Sequence, residues 1–256
     1  MSFFSILVEK KVDIKLSTMI QYKLFHFAKQ IKAVETGDQT TISKNLSYRW
    51  SKHFAEFPWV EMIFSSLKND DGSYRVSRND IYNTVDATER LVKIVFWGYP
   101  NAFQDGNYLR NILKDADAIT KSLGEVGSIL TINDYLALFN NLKSMVSGIG
   151  VSTISKILTF WKIKAASSES VIVDSRVMEC VRLFDDFYGM RTATETADGY
   201  YEMVKKINSL AKSIEATPEQ VEYFLFKMGK LVRDNRHQLF NILLTAYNDE
   251  EIEGED

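Results

Sequence analysis

The chain has 256 residues, enough for one large domain or two small ones around a substantial core. Its 45% hydrophobic and 25% charged content is that of a globular protein, and no apolar run reaches membrane-span length. A single cysteine, Cys180, excludes an internal disulfide, a Cys-rich zinc site and a four-cysteine iron–sulfur cluster. The net charge of −3 is unevenly placed: the last eight residues hold six acids and no base, which leaves +3 on the rest.

In chain order, Met1 to Lys10 has no basic segment ahead of its apolar residues, so a leader peptide is not expected. A strand is expected within the first 15 residues. The run Asn69-Asp70-Asp71-Gly72-Ser73 marks a loop and a border between residues 1–75 and a core of 76–247. Asp80 to Trp97 places Ile81, Val85, Leu91, Val92, Val95 and Phe96 on one helical face and stops at Gly98-Tyr99-Pro100. Further helices are expected over Tyr108–Leu123, Ile132–Met145, Val151–Ile163 and Ser175–Phe187. Thr217-Pro218-Glu219-Gln220 is a capping box with proline at the first helical position, opening a helix to about Val232. Another helix is expected over Gln238–Tyr247, and the acidic tail 248–256 as disordered. The fold class is mainly α. His26, His53 and His237 are scattered, so no metal and no cofactor are expected.

Two segments carry chemical information. In Val146-Ser147-Gly148-Ile149-Gly150-Val151-Ser152, a Gly-x-Gly turn leads into a helix. Such a turn lets the backbone approach a ligand and points unpaired N–H groups outward, favouring an anion such as a phosphate. A plain helix–turn–helix with a glycine cap has the same sequence. In Val171-Ile172-Val173-Asp174-Ser175-Arg176-Val177, a β-branched run ends at an aspartate placed to cap the next helix.

The order and spacing of these segments resemble the helix–hairpin–helix DNA glycosylase superfamily, in its 8-oxoguanine glycosylase-like branch. There the hairpin reads Leu-Pro-Gly-Val/Ile-Gly, followed about twenty residues later by Val-Asp-x-His/Arg-Val. The proline is missing here, whereas Val173-Asp174-Ser175-Arg176-Val177 is a close match. Val95-Phe96-Trp97-Gly98-Tyr99 is similar to the helix before that family's DNA-probing loop, and Val221 to Lys230 to its C-terminal pocket helix. The resemblance covers roughly Asp80 to Val232.

It implies a two-lobed helical glycosylase fold with an N-terminal extension, and Asp174 as the carboxylate that stabilises an oxocarbenium-like transition state. Bifunctional members carry a lysine two residues after the second hairpin glycine, where this chain has Ser152. That departure implies a monofunctional enzyme that releases the base and leaves an abasic site. Lys156, one turn further on, is the alternative source of an amine. The resemblance assigns DNA contacts to Gly148, Gly150, Ser152 and Arg176, and the probing loop to Asn101, Gln104 and Asn107. It assigns a flipped base to Trp97, Phe224, Phe226 and Lys227. The expected partner is duplex DNA with a damaged or modified base, bound by a cytoplasmic monomer without membrane contact. The alternatives are a non-catalytic DNA-binding module, and a defence enzyme that excises hypermodified phage bases.

Overall fold

The computed structural model describes residues 23–101, 107–190 and 195–234. They are mainly helical. A 3-10 turn over Leu24–Phe27 leads into α1 (Ala28–Lys32), then β1 (Thr40–Ser43), α2 (Tyr48–Phe54) and α3 (Pro58–Ser66). Next come β2 (Tyr74–Ser77), α4 (Arg78–Tyr82), α5 (Ala87–Gly98), α6 (Asn107–Lys114) and α7 (Ala116–Gly124). β3 (Ile129–Leu130), α8 (Ile132–Met145), α9 (Val151–Phe160), β4 (Lys164–Ala165) and β5 (Ser168–Glu169) follow. The described chain closes with α10 (Ser175–Val181), a 3-10 turn over Asp185–Phe187, α11 (Ala197–Ser213) and α12 (Pro218–Asp234).

Four helices end sooner than hydrophobic periodicity implies, among them α9, which stops at Phe160 and not Ile163. Ser77 and Asp80 form a capping box that starts α4, and Asp86 caps a second helix by accepting from Glu89 N, so the expected helix over Asp80–Trp97 is two helices. The turn between them leaves Val85 93% exposed, not on the buried face. Asp115 divides the next one into α6 and α7, and α10 stops at Val181. The expected N-terminal strand and the helix over Gln238–Tyr247 lie outside the described residues.

The two small sheets act as clamps. β1 pairs antiparallel with β2, Thr40 opposite Ser77, and so ties residues before the Asn69–Ser73 loop to those after it. β4 runs parallel to β3 and antiparallel to β5. Around them α5 buries Leu91, Val92, Ile94, Val95, Phe96 and Trp97, while α10 packs on α12. Burial of each such large side chain contributes about 1.5–3 kcal/mol. None of the described helices is long and apolar enough to cross a membrane.

Candidate active site

Asp174 caps α10 from an extended backbone. Its Oδ1 accepts from Arg176 N at 2.9 Å and Val177 N at 3.0 Å. Its Oδ2 has no protein partner among the described residues, so one carboxylate oxygen fixes the side chain and the other is left for a ligand. The β-branched run ahead of it joins no sheet. Val171, Ile172 and Val173 are buried and anchored by side chains: Val173 N donates to Ser155 Oγ at 3.1 Å, and Tyr200 Oη to the Val171 carbonyl at 3.0 Å. Ser155 belongs to α9, so the helix after the hairpin sets the height of Asp174.

The hairpin turns at Gly148, whose φ of +83° suits glycine. A Cβ there would meet the Tyr108 ring at 1.6 Å. Gly148 and Gly150 are exposed, and Gly150 faces open space. The N–H groups of Gly148, Gly150 and Ser152 have no partner among the described residues; Gly150 caps α9 and Ser152 lies in its first turn, where a helix dipole favours an anion.

From the same helix, Lys156 turns inward. It is 3% exposed, and its Nζ donates to the Ser152 hydroxyl at 2.8 Å and the Ser152 carbonyl at 3.0 Å, lying 5.1 Å from the centre of the Tyr99 ring. A Cβ at Gly98 would sit 2.9 Å from the lysine stem, so the glycine makes room for it. Tyr99 Oη joins Ser152 Oγ at 2.9 Å and Thr153 Oγ1 at 3.1 Å.

Asp174 and Lys156 line one cavity of about 310 Å³. Its walls come from Gln39 and Thr41 at β1, from Trp97 to Pro100 at the end of α5, from Ser152 on α9, from Ser175 and Arg176 on α10, and from Phe226 on α12. Arg176 lies 4.9 Å from the centre of the Phe226 ring. The volume falls at the small end of ligand pockets, about 300–1,000 Å³. A wider groove of about 1300 Å³ beside α5 is lined by Asp38, Asp80, Asp86 and Glu89 against only Arg75 and Lys93, a net negative wall that disfavours a phosphate backbone.

Next to the cavity lies a buried ion network. Arg78 is fully buried; its Nη2 donates to Glu222 Oε2 and its Nη1 to Glu219 Oε1, each at 2.7 Å, and it lies against the Trp97 ring. Burial opposes its charge, but the two carboxylates outweigh that and hold its pKa above the ordinary value. Burial also pushes the Glu222 carboxyl up to about 7; Arg78 opposes this, and the negative charges of Asp174 and Glu219 reinforce it.

Residues 36–226, which include the hairpin, Asp174 and the β1 wall, match the family described as "putative 8-oxoguanine DNA glycosylase OGG-like protein". The chain belongs to the OGG-like 8-oxoguanine DNA glycosylase family. No curated protein and no solved structure matched it. Membership agrees with the mainly helical architecture and makes DNA the substrate polymer.

Within this OGG-like fold, Asp174, Ser152, Lys156, Arg176, Trp97 and Phe226 converge on the cavity, with Gly148 and Gly150 on the exposed hairpin. Phe224, expected in the pocket, is instead core: it is 5% exposed and packs on Phe27, ring centres 5.5 Å apart. Lys227, also expected there, is exposed and lies over Tyr223 at 4.6 Å. Asn101 is exposed beside Pro100 without lining the cavity, Asn107 is the first residue of α6, and Gln104 lies outside the described residues. Sequence reasoning missed Gln39 and Thr41, which precede the matched motifs, and the Arg78–Glu222 pair. The one available signal for that pair was a glutamate inside the apolar run of α12.

Proposed function

We propose that this chain is a DNA glycosylase that draws one damaged or modified base out of a duplex and hydrolyses its N-glycosidic bond. The observation that carries the reading is the meeting of Asp174, one of whose carboxylate oxygens has no partner among the described residues, and the Lys156 amine in one small cavity lined by Phe226 and Trp97. A flipped base stacks on Phe226 and lies beside Trp97. The hairpin N–H groups hold a phosphate near the lesion. As the bond to the base stretches, positive charge grows on the sugar, and Asp174 stabilises it and directs a water to the anomeric carbon. A cation beside that sugar would oppose the same transition state. Lys156 is therefore assigned to the departing base, where it offsets the negative charge left on the ring nitrogen.

A second reading rests on the same amine. Attack by Lys156 Nζ on the sugar would form a Schiff base and permit strand cleavage, although Ser152 occupies the position of the family's usual lysine. The protein acts as a monomer in either case. The deciding experiment is to incubate it with duplexes carrying 8-oxoguanine, hypoxanthine, 5-hydroxymethyluracil or 3-methyladenine, and with phage genomic DNA, and to assay abasic sites and strand breaks. Abasic sites without breaks support hydrolysis. Breaks in step with base loss support the second reading. No base release from any substrate overturns both and leaves a DNA-binding module. Release from phage DNA alone assigns the activity to defence rather than repair.

A further inference from the structure

Gln39 stands just before β1, outside every motif that pointed to the site, yet it lines the cavity with Asp174. Its main chain is fixed twice: its carbonyl accepts from Arg78 N and from Trp97 Nε1, each at 3.1 Å. Its side chain is fixed as well, since Oε1 accepts from Arg78 Nε at 2.5 Å. A guanidinium offers only donors, so the amide must turn its oxygen toward Arg78 and its nitrogen away. Arg78 has no freedom to release it, being fully buried, ion-paired to Glu219 and Glu222, and held between the Trp97 and Tyr223 rings. Among the described residues the Gln39 Nε2 group donates to nothing. The neighbouring wall residue Thr41 cannot serve as donor, because its hydroxyl hydrogen is committed to the Trp97 carbonyl at 2.6 Å.

We propose that Gln39 is a specificity-determining residue: its fixed amide N–H₂ donates to a carbonyl oxygen on the edge of the extruded base, so the cavity accepts oxo-bases and disfavours rings that present an amino group there. The assignment rests on the glycosylase reading. It gives the Arg78 network a role in recognition, because that network decides which end of the amide is available. A base that turned an N–H₂ toward Gln39 would set donor against donor, with both buried and unsatisfied.

The test uses the full chain and two variants, Gln39→Glu and Gln39→Leu. The glutamate keeps an acceptor for Arg78 and replaces the N–H₂ by oxygen; the leucine removes both. Single-turnover release is measured on 8-oxoguanine, hypoxanthine, 5-hydroxymethyluracil and 3-methyladenine duplexes, with affinity for a duplex holding a tetrahydrofuran abasic analogue. The wild type should favour the oxo-bases over 3-methyladenine. Both variants should lose about 10–100-fold in oxo-base release, the range for one unsatisfied buried partner, with affinity for the base-free duplex within about 2-fold of wild type. Undiminished release by both variants overturns the proposal. So does an equal loss of affinity for the abasic duplex, which would make Gln39 a scaffold residue. A wild type that releases no base removes the glycosylase reading itself, a result distinct from either.

Discussion

The Lys156 amine sits 2.8 Å from the Ser152 hydroxyl, one helical turn back along α9. A lysine at position 156 thus delivers its nitrogen to the neighbourhood where the family's lysine would begin. Lys156→Met keeps most of the buried stem and removes the amine. If the amine serves only the departing base, the variant should release base about 10–100-fold more slowly, and borohydride should trap no covalent adduct with wild type. A trapped adduct with wild type that vanishes in Lys156→Met would assign the amine to Schiff-base formation instead.

The buried carboxyl of Glu222 makes stability depend on pH. Its folded pKa of about 7 lies above the ordinary 4.5, so the folded chain holds a proton that the unfolded chain releases between those values. The stabilisation is complete below about 4.5 and is lost as pH rises through about 7, with a slope of at most about 1 kcal/mol per pH unit. Denaturant melts from pH 5 to 8 should show this decline, and Glu222→Gln should flatten it. An unchanged slope in the variant would assign the titration elsewhere.

Gly229 lets α12 lie against α10. A Cβ there would fall 1.9 Å from the Arg176 carbonyl oxygen, a backbone atom with no room to move alone. Gly229→Ala should cost about 3 kcal/mol or more, because the helices must separate. The same shift would carry Phe226 away from Arg176, so base release should fall further than the loss of folded protein explains. Wild-type melting in Gly229→Ala would contradict a close approach of the two helices at Gly229.

The sequence exposed the site where the signals were local. Asp174 as a cap and Gly148 as a turn follow from side-chain chemistry within a few residues, and both hold in the fold. Phe224 and Phe226 could not be separated by type alone. Two positions on a helix differ by about 200°, so only one of the pair can face the cavity while the other faces the core. The helix breaks at Asp86 and Asp115 were obscured because apolar periodicity continues across them. Gln39 and the Arg78–Glu222 pair were illegible for a different reason. Their partners lie 39 and 144 positions apart, and only the folded chain brings them together.

Asp174→Asn tests the central claim most directly. Asparagine is an equally good helix cap and can keep the bonds from Arg176 N and Val177 N, so fold and DNA affinity should survive while the charge is lost. On a duplex whose base the wild type releases, the variant should slow release by about 1,000-fold or more, with affinity for the abasic-analogue duplex unchanged within a few-fold. Release by Asp174→Asn at the wild-type rate would contradict the assignment of the reaction to this carboxylate.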